Sequence, residues 1–172
     1  FSLAACGSSS NGNGDSKKIT IGVVGNETAN QVLKDEAAKQ GITIEYSEFT
    51  DYAQPNPAVD AGDNNMNRFQ HIAYLANYNV SSGKDLQIVG STNIYPMAIF
   101  SKKHKKVDEI PQGGTIAIPN DSVNEARALL LLKAQNLVTF KSEVHTPTHN
   151  DIDTGKSKVK VTPVDAAQTV VS

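Results

Sequence analysis

Arg127 stands three residues after Asn124 in Ile118-Pro119-Asn120-Asp121-Ser122-Val123-Asn124-Glu125-Ala126-Arg127, so on a helix the two side chains share one face. Asn120-Asp121-Ser122 starts that helix after the proline. Its N-terminus is close by, where free N–H groups and the helix dipole favour an anion. A guanidinium grips a carboxylate with two parallel hydrogen bonds. The pair therefore suits the α-carboxylate of a small acid. Aromatic residues are scarce, at 6% of the chain, yet Tyr52, Phe69 and Tyr74 fall in one stretch that also holds His71. Rings around a thioether add soft sulfur–ring contacts, each worth about 0.3–1.5 kcal/mol. Taken one at a time, these residues have plainer readings. Phe69 and Tyr74 suit a core, Arg127 a surface ion pair, and His71 a structural hydrogen bond.

Other chemistries find less support. The chain has no Gly-x-Ser-x-Gly elbow, no His-Glu-x-x-His and no reactive cysteine pattern, so an extracellular enzyme would lack a recognisable nucleophile. No catalytic residue and no cofactor is assigned. His145 and His149 lie four apart with Asp151 and Asp153 nearby, which makes a metal-binding surface lipoprotein the alternative reading. Pro147 between the histidines keeps them off a shared helix face, and no metal site is assigned. The net charge of −2 and pI of about 6.1 give no basic face for nucleic acid. Lys102-Lys103-His104-Lys105-Lys106 reads as a solvated turn.

The elements that must position these residues follow a tether. Cys6, the single cysteine, sits in Leu3-Ala4-Ala5-Cys6-Gly7, the pattern of a bacterial lipoprotein signal, and is the expected lipid-attachment site. A two-chain lipid there anchors the protein to the extracytoplasmic face of the cell membrane. The Gly/Ser/Asn tract after it is a coil reaching about 17–19 Å. Residues 1–17 thus read as signal remnant, anchor and tether, residues 18–93 as a first α/β lobe, and residues 94–172 as a hinge strand with part of a second.

Lys18–Val24 reads as a buried strand with a Gly25-Asn26 turn. Thr28 then caps a helix to about Lys39 whose apolar face is Val32, Leu33 and Ala37, and Gly41 ends it. Ile42–Tyr46 is a strand, a helix opens near Asn56 or Pro57, and Asn67–Tyr78 has helical spacing at Phe69, Ile72, Ala73 and Ala76. Leu86–Val89 and Tyr95–Phe100 read as strands. Thr115–Pro119 is a strand, and Ser122 with Glu125 forms a capping box for a helix that Leu129–Leu132 make buried nearly all round. Val159–Val161 is a strand, and Ala166–Thr169 starts a helix. In an open α/β sheet, ligands bind beyond the carboxyl ends of strands. That places the site at Tyr52 and in the helix after Pro119.

Asp51-Tyr52-Ala53-Gln54-Pro55-Asn56, Phe69-Gln70-His71-Ile72-Ala73-Tyr74 and the Ile118–Leu132 motif together resemble the NlpA lipoprotein family, the methionine-binding lipoproteins of ABC importers. Gly90–Met97, Phe100–Lys103 and Asp165–Gln168 extend the resemblance. It implies an α/β, two-lobed periplasmic-binding-protein-like II fold, with the second lobe and return crossover incomplete because family members continue past Ser172. It implies a ligand such as L-methionine, a close analogue or a short methionine-containing peptide, and an ABC permease and ATPase complex as partner. By the same resemblance Tyr52, Phe69, His71 and Tyr74 line one half of the pocket, and Asn124 and Arg127 the other. Arg68 stands where the family commonly has a second aromatic, which predicts a more polar rim.

Overall fold

The computed structural model describes residues 17–25 and 27–172; Cys6, its tether and Asn26 of the expected turn lie outside the described residues. β1 (Lys17–Val24) and β2 (Ile42–Phe49) run parallel, with Ile19 opposite Ile44, and α1 (Thr28–Ala38) connects them. Gly41 leaves that helix with φ +73, a left-handed conformation that a side chain would strain. β3 (Met66–Arg68) flanks β1 on the other side, giving the parallel order β2-β1-β3. α2 (Pro55–Asp60) opens on a proline, whose missing N–H costs nothing at a first helical position. α3 is Ile72–Ser82, closed by Gly83 at φ 68. Residues 84–106 then carry no helix or strand.

β4 (Thr115–Pro119) and β5 (Lys160–Val164) form a second parallel sheet, and α4 (Ser122–Ala134) packs on it. The two sheets have separate cores. Ile21, Val23 and Ile44 are buried in the first, with Ala37 and Met66 packed against them. Ile118, Ala128, Leu129, Leu132, Leu137, Val138, Phe140, Ile152 and Val159 are buried in the second. Burying a leucine fully is worth about 1.5–3 kcal/mol, and α4 contributes Leu129 and Leu132 to this second core.

Several local expectations need correction. Residues 66–68 are strand rather than helix, because Met66 is drawn into the first core opposite Ile21. The helix that follows buries Leu75 and leaves Ile72 in solvent. The expected face of α1 also fails: Ala37 packs inward, while Val32 and Leu33 are exposed. Glu27, not Thr28, holds the N-cap position of α1, and its carboxylate is taken by Arg68 at 2.8 Å. Asp121, not Ser122, caps α4 by accepting from the Asn124 N–H at 2.9 Å. Glu125 turns away from the expected capping box to accept from His149 N–H and Nδ1, both at 2.7 Å. Leu130 is 40% exposed, so α4 has a solvent side.

The strands expected at Leu86–Val89 and Tyr95–Phe100 do not form. Met97 and Ile99 still turn toward the second core while Ala98 and Phe100 point out. That is strand alternation without a ladder, since no partner strand lies beside them among the described residues. The terminal helix is a single 3₁₀ turn, Ala166–Gln168, capped by Asp165.

Candidate ligand site between the two sheets

The loop from β2 into α2, the loop from β3 into α3 and the first turn of α3 bring three rings together. Tyr52 lies 5.7 Å from Phe69 and 6.1 Å from Tyr74, and Phe69 lies 5.7 Å from Tyr74, each pair edge to face. Such contacts add about 0.5–1.5 kcal/mol per pair beyond the buried area. The Tyr74 hydroxyl donates to the Tyr52 carbonyl at 3.0 Å, which ties α3 to the loop after β2.

Side-chain amides support this layer. Buried Asn56 and Gln70 exchange two hydrogen bonds, Asn56 Nδ2 to Gln70 Oε1 at 2.9 Å and Gln70 Nε2 to Asn56 Oδ1 at 2.6 Å. Asn67 Nδ2 donates to Asn56 Oδ1 at 2.8 Å and to the Pro55 carbonyl at 3.1 Å. Reading the sequence by apolar spacing missed this network. Its signal was the density of amides between Gln54 and Gln70.

His71 links the aromatic layer to the second unit. It caps α3, its Nδ1 accepting from Tyr74 N–H at 3.2 Å, and its Nε2 lies 2.8 Å from Asn124 Oδ1. Arg127 Nη1 donates to the same oxygen at 2.8 Å. Arg127 forms no ion pair among the described residues, and that bond uses one of its five N–H donors. All six expected site residues therefore connect: Tyr52, Phe69 and Tyr74 as a ring cluster, then His71, Asn124 and Arg127 in a chain. Arg68 is not among them. It is turned to the start of α1, where Nη1 donates to Asn30 Oδ1 and Nη2 pairs with Glu27, both at 2.8 Å. The polar rim expected from Arg68 is thus not built there.

Burial, followed by the charge of Asp121, pushes the Tyr74 hydroxyl up to about 12, with Asp51, Tyr52 and Asp165 adding to it. Tyr52 is raised for the same first reason, then by Asp121, Asp165 and Glu27. The rings therefore stay neutral in a negative field, which favours a cation, while Arg127 favours an anion. A small zwitterion satisfies both. The raised Tyr74 value also predicts a pH effect. The folded protein holds this proton more tightly than the unfolded chain, so the stabilisation is complete below pH 10 and is lost as pH rises towards about 12. Alkaline unfolding followed by circular dichroism should show that loss in the wild type and a shallower one in Tyr74→Phe.

Three of the four potential metal ligands are engaged elsewhere. His149 bonds Glu125, Asp151 accepts from Thr148 N–H and Oγ1, and Asp153 pairs with Lys156. Among the described residues no three His, Cys, Asp or Glu side chains converge. No helix among them is long and apolar enough to cross a membrane.

Comparison with known proteins gives the family and the fold. The profile of the NlpA lipoprotein family matches residues 19–172. The chain belongs to the NlpA lipoprotein family. A relative from Vibrio cholerae, described as a probable D-methionine-binding lipoprotein, is 39% identical over 170 residues, covering 96% of this chain and 62% of its own. The substrate-binding protein of a methionine transporter from Streptococcus pneumoniae superposes with a TM-score of 0.78 at 37% identity, covering 90% of this chain and 64% of the other. A nutrient-binding protein from Burkholderia cenocepacia, solved bound to methionine, gives 0.78 at 38% identity, covering 87% and 65%. The chain thus spans less than two thirds of the length of these relatives. The NlpA fold is the α/β, two-lobed binding-protein architecture expected from sequence, with one sheet in each lobe.

Proposed function

We propose that this NlpA-family chain carries the ligand-capturing cleft of a substrate-binding lipoprotein that delivers methionine, or a close analogue or short methionine-containing peptide, to an ABC permease and ATPase complex. The observation that carries the reading is Arg127, without an ion-pair partner among the described residues and joined through Asn124 and His71 to a three-ring cluster. The guanidinium takes the α-carboxylate, and the neutral rings take the thioether. The field of Asp121 and Asp165 favours the ammonium. Named relatives are described as binding methionine, which fits capture and release with no covalent step and no catalytic residue. The same proposal divides the chain near residue 93, assigns Cys6 as the lipid anchor on the extracytoplasmic face, and needs no cofactor.

Titration calorimetry of the protein with L-methionine tests this directly. A saturable one-site isotherm is expected, with L-alanine giving much weaker heat. Absence of heat with L-methionine at concentrations that saturate related receptors refutes the assignment.

A further inference from the structure

Three side-chain amides beside the aromatic cluster close a hydrogen-bonded triangle. Asn56 is the second residue of α2, Asn67 lies in β3, and Gln70 sits in the loop between Phe69 and His71. Asn56 Nδ2 donates to Gln70 Oε1 at 2.9 Å, and Gln70 Nε2 returns a bond to Asn56 Oδ1 at 2.6 Å. Gln70 Nε2 also donates to Asn67 Oδ1 at 3.0 Å, and Asn67 Nδ2 donates to Asn56 Oδ1 at 2.8 Å. The triangle has one orientation. The Pro55 carbonyl can only accept, so the Asn67 atom 3.1 Å from it is the NH₂. That NH₂ meets Asn56 at its oxygen, which leaves Asn56 Nδ2 for Gln70 Oε1 and Gln70 Nε2 for the two asparagine oxygens. One backbone carbonyl thus fixes all three amides. Asn56 is 1% exposed, so water does not readily replace a partner lost there.

We infer that Asn56, Asn67 and Gln70 are positioning residues, whose closed triangle pins the Phe69-Gln70-His71 loop to the start of α2 and so sets the aromatic wall that the ligand meets. The triangle acts through its chain neighbours: Phe69 and His71 flank Gln70, and Tyr52 is four residues ahead of Asn56. Contact side chains hold a productive geometry only when hydrogen bonds and packing around them lock it. The affinity measurements rest on the methionine-receptor reading; the support of the rings does not.

Gln70→Glu makes the triangle titratable. As a neutral acid, the new carboxyl offers an O–H to Asn56 Oδ1 and an oxygen to Asn56 Nδ2, so the reciprocal pair survives. As a carboxylate it has no donor and faces two amide oxygens. A glutamate titrates near about 4.3, and burial raises that value. Near-ultraviolet circular dichroism of the ligand-free variant should therefore keep the signal of the Tyr52, Phe69 and Tyr74 cluster at about pH 4.5 and lose much of it by about pH 8, with the far-ultraviolet signal unchanged. The wild type should keep both signals. A variant whose ring signal is the same at both pH values overturns the support of the rings.

Titration calorimetry adds the ligand. The affinity of Gln70→Glu for L-methionine, divided by that of the wild type at the same pH, should fall about tenfold over that range, the scale of one buried hydrogen bond lost. The ratio removes the titration of His71 and of the ligand. Ser47→Ala is the control. It deletes a hydrogen bond to Asn64 Oδ1, 2.8 Å long and in the same lobe, and should lower the unfolding temperature without weakening binding. If Gln70→Glu unfolds as pH rises, Asn67→Ala takes its place. That change leaves the Asn56–Gln70 pair and should weaken both the ring signal and the affinity, the latter about threefold. A ratio that does not change with pH, an unchanged affinity in Asn67→Ala, or an equal loss in Ser47→Ala overturns the positioning role. If the wild type binds no L-methionine, the receptor reading fails and the ring signal of the same variants decides the support alone.

Discussion

Replacing Arg127 with alanine is expected to weaken L-methionine binding by about 2–5 kcal/mol, roughly 30-fold to several-thousand-fold. The loss exceeds that of an ordinary surface cation because the ligand carboxylate, drawn out of water between the lobes, is left without its counter-charge. The folded protein should hardly notice. Arg127 makes one hydrogen bond, to Asn124 Oδ1, and that oxygen still faces His71. Calorimetry should show the affinity loss, and thermal unfolding without ligand should shift little. Arg127→Lys should fall between, since an ammonium keeps the charge and loses the planar fork. An Arg127→Ala protein that binds L-methionine as tightly as the wild type removes this residue from the site.

Leu129→Ala should have the opposite profile. Leu129 is completely buried between α4 and β4 and sits among the buried residues of the second core. Truncation leaves a cavity in packing that cannot close, at about 2–5 kcal/mol, a large fraction of a single domain's stability. Urea unfolding followed by circular dichroism should show a lower midpoint with a similar slope. The adjacent Leu130→Ala is the internal control. That side chain lies on the solvent side of the helix, and its loss should cost less than about 1 kcal/mol. Equal costs at the two positions would contradict the packing of α4 described above.

The α4 leucines also show what sequence reveals and what it hides. Four in a row announce burial, but a helix turns 100° per residue, so consecutive positions cannot all face one sheet. Only the structure shows that Leu130 is the one left out. The β1–α1–β2 unit was legible because β1 ends in an apolar run, β2 alternates apolar and polar residues, and Gly41 marks the helix end. Residues 66–68 were not, because three extended residues carry too little periodicity to outweigh the helical spacing that follows. Tyr95–Phe100 has strand composition and strand alternation, yet a strand needs a neighbour, and no sequence window supplies one.

At the site, Asn124 and Arg127 were legible from a spacing of three on a capped helix. The three rings were legible only with the family motif, since Phe69 and Tyr74 alone resemble core residues. Arg68 misled for a physical reason: it ends β3 and reaches Glu27 and Asn30 beside α1, while Phe69, already in the loop, joins the rings. The amide network of Asn56, Asn67 and Gln70 was invisible to hydrophobic patterning because its members pair across loops.

The central claim is that a guanidinium facing the ring cluster recognises the acid end of an amino acid. Competition calorimetry with L-methionine and L-methioninamide isolates that end, because the two differ only in the carboxylate. L-Methionine should bind and the amide should fail to displace it; an amide that competes equally well would show that Arg127 does not hold the ligand.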